Sequence, residues 1–359
     1  MNPRGLSLVC QAAEAFVVTA LFLLTASQAS AQNIALPGPA PNRALPANAA
    51  RENQRCTACH RTIAEEWNRS LHRHAYDNPY FARAVKLETV NFCRKCHASD
   101  ANPERDPEPA LAANGVSCLT CHFTGRGAVG AHGTGTQRIA GHDAAGDARW
   151  SDDRACGNCH QFDFPAKPGA STVTAMQDTV HEHALSAYAG APCQRCHMQL
   201  VKDADGTSHH RHDFAVQADP SMLARAVTLE LVSRTEKQAT VALSAGAIGH
   251  AFPTGDLFRS AELEIWEARA GTAQRKPTVI RLARDYTQDT PNQSRRVVSD
   301  TRLKPTANSR DTRLITIDLA TKDAKIAYKL TWVRMPPRLA KLFQLEPAKN
   351  DRVVLEGNF

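Results

Sequence analysis

Residues 56–60 read Cys-Thr-Ala-Cys-His, and the same spacing returns as Cys-Arg-Lys-Cys-His at 93–97, Cys-Leu-Thr-Cys-His at 118–122, Cys-Gly-Asn-Cys-His at 156–160 and Cys-Gln-Arg-Cys-His at 193–197. Of the eleven cysteines in the chain, only Cys10 stands outside these patterns. In C-x-x-C-H the two thiols add across the vinyl groups of a haem while the adjoining imidazole reaches the iron from one face. Zinc sites, redox dithiols and disulfides use paired cysteines but have no need of a histidine directly after the second one. The repeats therefore predict five covalent haems c. Cys56, Cys59, Cys93, Cys96, Cys118, Cys121, Cys156, Cys159, Cys193 and Cys196 would attach them, with His60, His97, His122, His160 and His197 as the first iron ligands. Five large apolar cofactors between residues 56 and 197 take the place of side-chain core. This half is expected to be loop-rich, built of short helices, and dependent on its cofactors for folding.

On the N-terminal side of the repeats, residues 1–31 have the form of a signal peptide. Arg4 is followed by an apolar stretch over Phe16–Ala26 and by Ala29-Ser30-Ala31, a small-x-small cleavage pattern before Gln32. That stretch is short of the roughly 20 apolar residues of a spanning helix, and no later run is longer. The expected product is periplasmic, with no transmembrane segment in the mature chain. Covalent haem attachment outside the cytoplasm agrees with export, and Cys10 leaves with the peptide. Residues 32–50, rich in Pro and Ala, read as a flexible lead-in.

After residue 219 the texture changes. Alternating apolar and polar residues run over 226–231, 239–243, 261–266, 279–282, 314–319 and 327–332, separated by turn-forming stretches. A period of two over six segments predicts a β-sandwich. The fold expected of the 359 residues is thus α+β: a loop-rich, mainly helical multihaem domain at 51–219 followed by an all-β sandwich domain at 220–359. The formal charge of +7 is spread along the chain with no long basic block, which argues against nucleic acid as a partner. The haem propionates would also offset that charge.

The stretch 56–81, CTACHRTIAEEWNRSLHRHAYDNPYF, resembles the opening of multihaem c-type cytochromes that carry a cytochrome c-552/4-like domain, where the first haem motif is followed by W-x-x-S-x-H-x-x-A. The resemblance continues through Asn91-Phe92-Cys93, Gly115-Val116-Ser117-Cys118, the segment 156–162, Cys193 to Met198, Gly249 to Asp256 and Asp300 to Pro305. It implies distal ligands at His72, at His142 in the loop before Cys156, at His212 after the last motif and at His250 in a Gly-His-x-x-Pro-Thr-Gly turn, which would join the β half to the haems. His183, on a face with Met176 and Val180, is the candidate for the fifth position. Here the chain departs from its relatives, with His181-Glu182-His183 where Glu-Trp is common. Helical periodicity favours His74 over His72, because Ile63, Trp67, Leu71 and His74 share one face.

Ten histidines outside the motifs are enough to cap every iron. This predicts single-electron transfer through mostly bis-His haems, with no catalytic residue and with redox partner proteins, other cytochromes or a quinol-linked donor, on either side. The alternative is an oxidoreductase in which one haem keeps an open face for a small nitrogen or sulfur compound.

Overall fold

In C-x-x-C-H the residues i, i+3 and i+4 share one face of a helix, so a single helical turn aims both thiols and the imidazole at one cofactor. The computed structural model forms such a turn at every motif. It describes residues 48–87, 91–124, 127–130, 135–139, 141–164, 174–214, 216, 219–268, 276–287, 296–346 and 351–359. The proposed signal peptide and nearly all of the lead-in lie outside these residues.

The first half begins with α1 (Ala49–Cys59) and α2 (Arg61–Asn68), followed by α3 (Pro79–Leu87), α4 (Asn91–His97), α5 (Pro109–Asn114) and α6 (Cys118–His122). Ser117 caps α6 by accepting from the Leu119 and Thr120 backbone N–H groups. The buried Asp100 accepts from both Ser117 and Thr120, and Asn53 of α1 accepts from the Cys118 backbone at 3.0 Å. These buried polar bonds fix the helices of the first and third motifs against each other. A small three-stranded sheet follows: β1 (Ala128–Gly130) runs parallel to β3 (His142–Gly146), which is antiparallel to β2 (Thr136–Ile139). Next come α7 (Arg154–His160), the hairpin β4 (Gln161–Asp163) and β5 (Ala175–Asp178), α8 (Thr179–Leu185), α9 (Gln194–His197) and the hairpin β6 (Leu200–Lys202) and β7 (Ser208–His210).

The second half opens with α10 (Pro220–Ala224), capped by Asp219. Its strands are β8 (Val227–Arg234), β9 (Gln238–Ala245), β10 (Ser260–Ala268), β11 (Thr278–Tyr286), β12 (Val297–Asp300), β13 (Arg313–Asp318), β14 (Lys325–Val333) and β15 (Arg352–Asn358), with α11 (Pro337–Leu342) between the last two. They form two antiparallel sheets, β13-β9-β8 and β12-β11-β10-β14-β15. One core joins them: Val241 and Leu243 from β9, Ile315 and Ile317 from β13, Leu263 and Ile265 from β10, and Ile326 and Leu330 from β14. Helices followed by this sandwich give the α+β class expected. Each of the six alternating runs falls on a strand, with Ala226 and Leu319 one residue outside β8 and β13. The short edge strand β12 and the last strand β15 were not anticipated.

Among the described residues no helix is long and apolar enough to cross a membrane.

Candidate haem-binding cavity

A cavity of about 1990 Å³ runs between the short helices and one end of the sandwich. It is well above the roughly 300–1,000 Å³ of an ordinary small-molecule site. All ten motif cysteines and all ten candidate histidine ligands line it. Motifs distant in sequence meet through their cysteines. Cys56 touches Cys118, Cys96 touches Cys159, and Cys156 touches Cys193.

The histidines fall into facing pairs. His60 and His142 have ring centres 6.1 Å apart, His72 and His160 6.2 Å, His122 and His212 6.1 Å, and His197 and His250 6.2 Å. An imidazole bound through Nε2 at about 2.0 Å has its ring centre roughly 3.1 Å from a metal, so two on opposite faces would lie about 6.2 Å apart. In each pair one member follows a C-x-x-C turn and the other comes from a distant segment. His142 opens β3, His212 follows β7, and His250 sits on the turn between β9 and β10.

The second ring nitrogens are oriented as metal-ligating histidines require, with Nδ1 on a carbonyl and Nε2 left for the metal. Nδ1 of His97 donates to Ala75 O at 2.7 Å, that of His122 to Val129 O at 2.9 Å, that of His212 to His210 O at 2.6 Å and that of His250 to Ala251 O at 3.0 Å. Burial, followed by the facing His160, lowers His72 to about 3. Burial followed by His250 lowers His197 to about 4, and burial followed by His122 lowers His212 to about 4. Neutral imidazole, the metal-binding form, is therefore the state of these rings.

Other histidines have both ring nitrogens engaged. His74 uses Nδ1 on Asp77 at 3.0 Å and Nε2 on Asn68 O at 3.1 Å; His209 spans Asp203 at 2.7 Å and Glu66 at 3.2 Å. The periodicity that favoured His74 does not apply, because α2 ends at Asn68 and the chain then turns.

His97 has no facing histidine among the described residues. Phe81 stacks on its ring at 3.8 Å, and the charged groups acting on it are Asp256, Arg334 and Arg259, all from the second half. His183 lies elsewhere. Its buried Nδ1 is 3.8 Å from Asp153, beyond hydrogen-bond reach, and the ring packs against Gly249, beside the His197–His250 pair.

The turn carrying His250 is held by a carboxylate that sequence reasoning did not single out. Glu182 of α8 accepts from the Ala251 backbone at 3.2 Å and from Thr254 Oγ1 at 2.7 Å, and its other oxygen pairs with Arg302 Nη1 at 2.7 Å. Arg302 also pairs with Asp300 at 2.8 Å, and its side chain is 5% exposed. Burial favours neutral Asp300, but the adjacent Arg302 outweighs it and holds the carboxyl below its ordinary range. Phe252 and Leu303 exchange backbone bonds of 2.8 and 3.0 Å beside it. Trp150, stacked on His122 with ring centres 5.2 Å apart, was also missed. A buried carboxylate and a lone tryptophan in the 3-10 turn Ala148–Ser151 have no period or spacing that would mark them.

The cavity suits haem c. It supplies paired thiols, facing imidazoles and buried polar atoms without hydrogen-bond partners among the described residues, among them Trp150 Nε1 and Arg334 Nε, that could meet propionates.

Residues 55–123 match the family model described as cytochrome c554 and c-prime. No curated protein matches the chain. The crystal structure of a penta-heme cytochrome c552 from Thermochromatium tepidum superposes with a TM-score of 0.68 at 19% identity, covering 86% of this chain and 98% of that one. Residues 55–123 thus resemble the cytochrome c554 and c-prime family, within a fold similar to that of a penta-heme cytochrome c552.

Proposed function

We propose that the chain is an exported, periplasmic cytochrome that holds five haems c and passes single electrons through them between redox partner proteins. The four facing imidazole pairs carry this reading. They support bis-His coordination for the haems of motif 1 (His60, His142), motif 3 (His122, His212), motif 4 (His160, His72) and motif 5 (His197, His250). Strong ligands on both faces exclude substrate from the iron and suit electron transfer. The thiol contacts between motifs 1 and 3, 2 and 4, and 4 and 5 support close spacing, with motif 4 at a branch. Low-temperature EPR of the ferric holoprotein, with haems counted as the pyridine haemochrome, tests it. The expected result is five haems with four bis-His low-spin irons. More than one high-spin iron would overturn the assignment.

A second reading concerns motif 2, since His97 has Phe81 stacked on its ring and no facing histidine among the described residues, while its charged influences are Asp256, Arg334 and Arg259. An open position there would let the protein act on a small nitrogen or sulfur compound. Carbon monoxide binding to one iron of the reduced protein supports this reading; no binding removes it.

A further inference from the structure

The end of β14 places Arg334 beside Arg259, at the motif 2 end of the cavity. Arg259 is already engaged. Its Nη2 pairs with Asp256 at 2.9 Å, its Nη1 donates to Arg334 O at 2.8 Å, and its guanidinium lies 5.3 Å from the Trp332 ring centre. Arg334 differs. Its guanidinium stands 4.9 Å from the Tyr80 ring centre, and Nε is buried with no hydrogen-bond partner among the described residues. Asp351 accepts from the Arg334 backbone N–H, so that contact leaves the guanidinium unanswered. Burial, with Arg259 second, lowers Arg334 to about 10.

Desolvating a guanidinium is unfavourable without a charged or hydrogen-bonding partner. Asp256 pairs with Arg259 and acts on Arg334 only through its charge, and both arginines line the cavity. The arrangement is short of one anion, and a planar guanidinium matches a two-oxygen anion.

We propose that Arg334, backed by Arg259, binds a carboxylate or small oxyanion at the motif 2 end of the cavity. The proposal rests on motif 2 carrying a haem. Two sources offer the same chemistry: a propionate of that haem, or a dissolved oxyanion such as nitrite or sulfite. In either case the second half of the chain supplies charge to the second haem as well as a scaffold.

The test compares the haem-loaded wild type with Arg334→Gln. Arg281→Gln serves as control, because Arg281 is surface-exposed and paired with Asp285. Redox titration and calorimetric titration with nitrite and with sulfite are read together. If the anion is a propionate, one haem falls in midpoint potential in Arg334→Gln, since the lost cation no longer favours the reduced iron, and neither oxyanion binds. If the anion is dissolved, nitrite or sulfite binds the wild type and weakens by about 10-fold to 100-fold in Arg334→Gln, as expected for a lost charged hydrogen bond, while carbon monoxide binding is unchanged. Should Arg334→Gln fail to accumulate, Arg334→Lys keeps the charge but loses the fork, and gives smaller changes of the same sign. Potentials and oxyanion affinities that match those of Arg281→Gln overturn the proposal. A haem count that omits motif 2 overturns the reading beneath it, and is distinguished by the pyridine haemochrome.

Discussion

The two halves of the chain bury different things. From Ala49 to Met198 the buried apolar residues are mostly alanines, with Trp67, Tyr80, Leu119, Val129 and Met198 between them. In the sandwich, Leu243, Leu263, Ile265, Leu282, Ile326 and Leu330 are fully buried and touch across two sheets. One half encloses a cavity lined with thiols and imidazoles; the other closes on its own side chains. The contrast teaches that a fold can be specified by where attachment points sit, leaving the apolar mass to a cofactor, while its neighbour meets the ordinary demand for close-packed aliphatics.

The strongest way to break this comparison is to withhold the haems. Produced without covalent attachment, the protein is expected to lose amide protection over residues 51–214 and to keep it over 227–358, read by hydrogen exchange. Equal loss in both halves would mean that the sandwich also leans on the cofactors. Next in size is Arg302→Ala, which leaves Glu182 buried and without its cation. A loss of about 3–5 kcal/mol is expected on denaturation, because removing one partner of a buried pair strands the other. A change in the EPR of one haem should accompany it, through the His250 turn.

A smaller effect is expected at Gly115, which has φ +56 and lies where a Cβ would collide with the His72 and Arg73 carbonyl oxygens. Val116 N–H also donates to His72 O at 2.8 Å. Gly115→Ala should cost about 1–3 kcal/mol. Its spectroscopic change should appear at motif 4, the partner of His72, although the substitution lies just before motif 3. A change confined to motif 3 would count against the His72–His160 pair.

The smallest effect is a pH dependence. Burial disfavours the His209 cation, but Asp203 and Glu66 outweigh it and raise His209 above its ordinary value. The stability this group adds is whole below its unfolded pKa of about 6.5 and is lost as pH rises through the higher folded value. Denaturation midpoints should therefore decline from about pH 6 upward, and His209→Gln should flatten that decline.

The parts of this structure legible in the sequence were those with a period or a fixed spacing. Strands β8, β9, β10, β11, β13 and β14 announced themselves by alternation; β12 has four residues and no alternation, and β15 ends in Glu-Gly-Asn. The C-x-x-C-H turns were legible because attachment chemistry fixes their spacing. Distal positions were harder, since a facing imidazole is set by tertiary approach. His72 came from resemblance against the local period, and the period failed because its helix had already ended. His183 shares a helix with Glu182, and the fold uses the glutamate of that pair to hold the His250 turn. Nothing in the local sequence distinguishes those two roles. His132 lies outside the described residues.

With the proposed pairs, the ligands interleave along the chain: 60 with 142, 72 with 160, 122 with 212 and 197 with 250. Synthesis delivers the N-terminus first. The imidazole facing motif 1 emerges only after motifs 2 and 3, whereas motif 4 finds His72 waiting when it appears. The fourth site is then the first that can close as its own motif emerges, and motif 5 must wait for the turn that begins the second half. Maturation would therefore follow an order different from the numbering of the motifs, and truncation before residue 250 would leave the last haem attached yet half-ligated.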